Sequence, residues 1–103
     1  MVDLCGFDEV GDGTARRFDV GSVRVAVVRI GDEVFAIGDR CTHADVSLAE
    51  GEIDTDACTL ECWKHGSQFD LRTGEALSLP ATRPVPTYDV RVVDGRVLVE
   101  ERP

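Results

Sequence analysis

Histidine and lysine are both scarce in this chain, with two and one, respectively, among 103 residues. Long apolar runs are missing too. No segment has the roughly 18 consecutive apolar residues of a membrane span, so no membrane partner is expected. Helix-period segments are also absent, which leaves most of the 43% hydrophobic content to short strands and argues against disorder. The first ten residues, MVDLCGFDEV, lack a basic region followed by an apolar stretch, so no secretion signal is read and a cytoplasmic location is expected. Positive charge is outweighed, with 11 basic residues against 20 acidic ones and a formal net charge of −9. That excess disfavours nucleic acid and anionic membrane as partners. It is compatible with docking to a basic patch on another protein, and equally with solubility alone.

What the chain does have is concentrated between Cys41 and Ser67. Cys-Thr-His occupies positions 41–43, and Cys-Trp-Lys-His-Gly-Ser occupies 62–67. Both histidines therefore sit beside a cysteine at metal-ligand spacing. Four cysteines could form two disulfides in a secreted protein. Here two are paired with histidine and no export signal is read, so reduced thiolate ligands are the better reading. Cys5 and Cys58 lie in short apolar runs and are expected to be small buried side chains.

The rest reads as extended structure. Val2–Leu4, Arg16–Val20 (weakly), the valine-rich 23–30 segment and Glu33–Ile37 are strand candidates, with a tight turn at Gly31-Asp32. Ala57–Glu61, Gln68–Leu71 and Ala76–Leu79 follow as short extended pieces. Pro80, Pro84 and Pro86 mark an extended loop, because proline cannot donate to a sheet ladder. Tyr88–Val93 and Arg96–Glu100 read as a closing hairpin across Asp94-Gly95. Helix is limited to one turn at Ser47–Glu50. The expected fold class is all-β, an antiparallel sandwich or barrel in one domain over 1–103, with a small ligand-bearing subdomain at about 39–79.

Thiolate and imidazole together suit zinc or an iron–sulfur cluster. Zinc would gather Cys41, His43, Cys62 and His65 around one ion. A two-iron cluster would place the cysteines on one iron and the histidines on the other. One cysteine and one histidine per loop matches the second arrangement better. Gly66 permits close backbone approach or a positive φ, and Ser67 offers a hydroxyl donor.

The pattern C-T-H…C-x-x-H-G-S, followed by Q-F-D-L-R-T-G-E-A, resembles the Rieske [2Fe-2S] family. It is most similar to the ferredoxin components of ring-hydroxylating dioxygenases of the biphenyl and phenylpropionate type. The resemblance implies one [2Fe-2S] cluster at one tip of an antiparallel β fold, covered by the Pro80–Pro86 region as a third loop. It implies a cofactor site of Cys41, His43, Cys62 and His65 as iron ligands, with Gly66 and Ser67 beside them. It further implies a monomeric one-electron carrier between a flavin-containing reductase and a terminal non-haem iron oxygenase, not catalytic alone. A ferredoxin of iron–sulfur assembly, or a small subunit of a nitrite-reductase-like complex, is the alternative. Both histidines are committed to the cluster, so the chain cannot also build a mononuclear two-histidine oxygenase site.

Two departures from the respiratory members bear on potential. Val46 and Lys64 stand where those proteins carry a disulfide pair, and Phe69 stands where they carry a tyrosine donor. Fewer donors to sulfur should lower the potential, into the lower half of the roughly −150 to +300 mV Rieske span. Trp63 reads equally as a docking surface or as a cover for the loop.

Overall fold

Residues 1–100 of the computed structural model are described, and they form three antiparallel sheets. In chain order the strands are β1 (Val2–Gly6), β2 (Thr14–Val20), β3 (Val23–Ile30), β4 (Glu33–Gly38), β5 (Glu52–Asp54), β6 (Thr59–Glu61), β7 (Gln68–Asp70), β8 (Thr87–Tyr88), β9 (Val90–Val93) and β10 (Arg96–Val99). The sheets run β1-β10-β9, β2-β3-β4-β8 and β5-β6-β7. The all-β expectation holds. Helix among the described residues is confined to single 3₁₀ turns at Phe7–Glu9 and Leu48–Glu50.

The valine-rich β3 is apolar on both faces because it separates two cores. Side chains alternate across a strand, so Ala26 and Val28 face one core and Val25 and Val27 the other. The first core contains Cys41, Leu48, Leu60, Cys62, Phe69 and Leu71. The second contains Cys5, Val97 and Val99 from the β1-β10-β9 sheet, with Val10 from the bend after Phe7–Glu9. Each fully buried valine, leucine or phenylalanine contributes about 1.5–3 kcal/mol. The middle sheet is thus a shared wall; the first histidine–cysteine loop leaves it after β4, and the second joins β6 to β7.

Several boundaries differ from the sequence reading. The weak candidate at Arg16–Val20 is a full strand from Thr14, paired along its length with β3. Ala57 and Cys58 precede β6 rather than belonging to it. Asp54 Oδ1 accepts the Asp56 and Ala57 amides, both at 3.0 Å, and the local hydrogen bonding turns the chain where propensity favoured extension. Ala76–Leu79 forms no named strand: Ala76 makes a single bridge to Phe69, and the Leu77 amide donates to Gln68. Tyr88–Val93 is split. Thr87 and Tyr88 pair with β4, whereas Val90–Val93 pair with β10. The change of sheet falls at Asp89, whose amide donates to Glu100 Oε1 at 2.8 Å. No helix among the described residues is long and apolar enough to cross a membrane.

Candidate metal centre

The first histidine–cysteine loop leaves β4 and is closed by Asp39. This aspartate is 1% exposed. Its Oδ1 accepts the Ser47 hydroxyl and the Ala49 amide, each at 2.9 Å, while its carbonyl accepts the Leu48 amide. Inside that clasp the Cys41 amide donates to Val46 at 3.1 Å. The second loop joins β6 to β7. The Cys62 amide donates to Ser67 at 2.7 Å and the Gly66 amide to Cys62 at 2.9 Å, which forces a tight reversal. Gly66 takes φ 78° there, a conformation that favours glycine, and a Cβ would meet no protein atom within 4 Å.

The proline segment closes over both loops. Thr42 Oγ1 donates to the Arg83 carbonyl at 2.7 Å, and the Ala81 amide donates to Ser67 Oγ at 3.0 Å. Val85 and Gly38 complete the attachment, through Val85 N–H to Gly74 and Gly38 N–H to Pro86, each at 2.8 Å. Three loops therefore meet at one end of the molecule.

Within them the four donors are sorted by solvent. Cys41 and Cys62 are buried, 2% and 1% exposed, with their side chains in hydrogen-bond contact. His43 and His65 are exposed, with ring centroids 5.2 Å apart and planes inclined by 72°. Burial pushes the Cys62 thiol up, and contact with Cys41 adds to this. Backbone hydrogen bonds from Lys64 and His65 work in the opposite direction by favouring the thiolate. Metal loading must therefore displace the proton that burial favours on Cys62. Among the described residues, no three histidine, cysteine or acidic side chains come together around a point where one ion could sit. The donors form a sulfur pair and an imidazole pair instead of a tetrahedral zinc set. A diiron–disulfide group with one thiolate-bound end and one imidazole-bound end fits that sorting, and the amides aimed at Cys62 suit a charged sulfur ligand.

The Rieske [2Fe-2S] domain model matches residues 1–89. The chain belongs to the Rieske [2Fe-2S] domain family. A Rieske domain binds one [2Fe-2S] cluster. The chain is 43% identical over 99 residues to the 3-phenylpropionate/cinnamic acid dioxygenase ferredoxin subunit of Escherichia coli (strain K12), covering 96% of this chain and 92% of that protein. It superposes with a TM-score of 0.96 on the ferredoxin of carbazole 1,9a-dioxygenase from Nocardioides aromaticivorans IC177, at 38% identity over 98% of this chain and 97% of the other. A third Rieske relative is a chain from the complex of reduced oxygenase and oxidized ferredoxin in carbazole 1,9a-dioxygenase. Its TM-score is 0.88 at 39% identity, over 96% of this chain and 100% of that one.

All six residues singled out in the sequence lie in the two loops over which the proline segment closes. Ser67 is fully buried, and its oxygen accepts from Ala81, which leaves the hydroxyl proton free to donate. Phe69 is fully buried in the core beneath the loops, so it acts there as packing. Trp63 is 54% exposed and is absent from both cores, which favours a surface role over a cover. Asp39 and Thr42 were not legible. A carboxylate in Gly-Asp-Arg reads as a turn residue, and only the fold shows it buried with its partners eight and ten residues downstream. Replacing Asp39 with alanine strands the Ser47 hydroxyl and the Ala49 amide. Both groups are part-buried, so the loss should be about 1 kcal/mol or somewhat more in total, lowering the urea midpoint and loosening the first loop. Asp39→Asn keeps an acceptor oxygen and should cost less in the same titration.

Proposed function

We propose that this chain is a soluble one-electron carrier, passing electrons from a flavin-containing reductase to a terminal non-haem iron dioxygenase. The observation that carries this reading is the sorting of donors at the tip, with two buried sulfurs beneath two exposed imidazoles. The proposed iron ligands are Cys41, Cys62, His43 and His65, with Gly66 and Ser67 shaping and hydrogen-bonding the site. When bound, the cluster supplies a one-electron redox centre. The protein's own residues do the rest. The buried sulfurs keep water from one end, and the imidazoles present the other end to solvent at the point of contact with a partner. The three interlocked loops hold the donors in one geometry, which limits the reorganisation that accompanies electron transfer.

The proposed organisation is a single Rieske domain over 1–103, with its cluster-binding subdomain at about 39–79 and the proline segment as lid. All four cysteines are free and buried, which is consistent with a reducing, cytoplasmic setting. A monomer suffices, because every proposed ligand comes from one chain.

The reductase and oxygenase of a phenylpropionate dioxygenase offer a direct test. The loaded protein should be reduced by that reductase and reoxidised by that oxygenase in the presence of its aromatic substrate. Failure to take electrons from any flavoprotein reductase would count against the carrier reading. Voltammetry should place the midpoint in the lower half of the roughly −150 to +300 mV span. Ser67→Ala removes the free hydroxyl donor and should move the midpoint down, by about 59 mV for each tenfold change in the redox equilibrium. No shift would show that the hydroxyl does not reach the cluster.

A further inference from the structure

Asp39 is the one charged side chain that is buried among the described residues. Charges inside a protein are as a rule matched by an opposite charge. Asp39 joins no ion pair among the described residues. The Ser47 hydroxyl and the Ala49 amide of its clasp are neutral donors, and both act on Oδ1. Arg24 accepts the Asp39 amide on its carbonyl at 3.0 Å, but its guanidinium pairs with Asp19 at 3.4 Å. Arg40, the next residue, pairs with Asp45 at 3.3 Å.

The wider surroundings do not cancel this charge either. Asp39 lines a cleft of about 840 Å³ that Trp63 also lines. The exposed charged residues of that cleft are Arg17, Arg24 and Arg40 against Asp19, Asp45 and Glu50. Those six sum to zero, and Asp39 remains unmatched. Nor does the clasp need a charge. Asparagine offers the same kind of acceptor oxygen to Ser47 and Ala49, and a neutral amide costs less to bury than a carboxylate. The charge is therefore surplus to closing the loop. Cys41 stands two residues on, so the two Cα atoms are within about 7 Å of each other. Both side chains are buried, and water and salt screen such a pair far less than a pair of surface charges.

We propose that the Asp39 carboxylate sets the reduction potential of the centre, its negative charge beside Cys41 opposing the incoming electron and holding the midpoint low. This inference rests on the electron-carrier reading and on Cys41 as a ligand. It adds a second cause to the low midpoint expected from Phe69, which offers no hydrogen bond to sulfur. Asp39 touches neither ligand in this role. It acts through space, while its hydrogen bonds position the first loop.

Voltammetry of the reconstituted Asp39→Asn protein at pH 7 separates the charge from the clasp. The variant keeps the acceptor and loses the charge. Its redox equilibrium should move towards the reduced form roughly tenfold or more, a midpoint rise of about 59 mV or more. The rise should persist in about 0.5 M salt, because the site is buried. Asp45→Asn is the surface comparison. Its side chain is 87% exposed, and its loss should change the equilibrium less than about twofold, and less again in salt. Ser47→Ala is the clasp comparison. It removes a donor and keeps the carboxylate, so it should lower the urea midpoint yet leave the redox equilibrium within about twofold of wild type. Asp39→Ser is a second neutral variant with an acceptor oxygen and should give a rise of the same sign.

Midpoints in Asp39→Asn and Asp39→Ser equal to or below wild type would overturn the inference and leave the carrier reading intact. So would a rise that Ser47→Ala matches, since the clasp would then be the cause, or one that about 0.5 M salt removes. A wild-type protein whose colour dithionite does not bleach would instead sink the carrier reading, and this inference with it.

Discussion

Replacing Cys41 or Cys62 with alanine should abolish the cluster, whereas replacing Cys5 or Cys58 should leave it in place. Burial cannot distinguish the four, since their exposures are 5%, 2%, 4% and 1% in chain order. Position in the fold does. Cys5 lies on β1 in the core between the terminal sheet and the middle sheet. Burial raises its thiol as it raises those of Cys58 and Cys62, so the shift does not separate them either. Cys41 and Cys62 instead face each other below the two imidazoles, and amides of Lys64 and His65 point at Cys62. On the proposed ligation, losing either sulfur would remove half of one iron's protein ligands. The measurement is iron and sulfide content with the visible spectrum. The outer pair of variants should keep both, and the inner pair should be colourless with iron at background. Each Cys→Ala change removes only one small buried side chain, so the apo folds should remain close in stability to one another. Retention of the full spectrum in Cys62→Ala would refute the ligand assignment.

The second large effect is expected at Gly74, which no chemistry touches. Gly74 follows β7 and sits at φ 78°. A Cβ built there would lie 2.1 Å from the Val85 carbonyl oxygen and 3.1 Å from Thr87 Cγ2. The first contact is with backbone and cannot be relieved by a rotamer change. Gly74 also accepts from Val85 at 2.8 Å, so the clash falls on the hydrogen bond that fastens the proline segment. Gly74→Ala should therefore cost about 1–3 kcal/mol in overpacking, with up to about 1 kcal/mol more for the left-handed backbone. Chemical denaturation should show that loss, and the cluster should bleach faster in air because its lid is displaced. Gly66→Ala is the internal comparison. It shares φ 78° but has no protein atom within 4 Å of the added methyl, so in the apo chain only the backbone cost of about 1 kcal/mol applies. Equal losses at the two glycines would show that the contact with Val85 is not the cause.

These two predictions mark what was legible in the chain and what was not. The donors were legible because two histidines, each beside a cysteine, leave little choice of ligand, and the motif extends through Gly66 and Ser67. Strand content was legible from valine runs and turn residues. The double-faced core around β3 was not, because a short continuous apolar run fits several kinds of burial. Asp39, Thr42 and Gly74 act through partners 8 to 41 residues away or through backbone approach, and local sequence carries no mark of either. The split at Asp89 escaped notice for a related reason. Val90–Val93 continues the extended pattern of Thr87 and Tyr88, and only the pairing partners change.

The account stands or falls on the unequal ligation of the two irons. The most direct measurement is the Mössbauer spectrum of the oxidised protein reconstituted with ⁵⁷Fe, where both irons are ferric and only their ligands can distinguish them. It should resolve two iron sites of equal area and different isomer shift. Two equivalent irons, or a colourless protein containing one zinc and no iron, would contradict it.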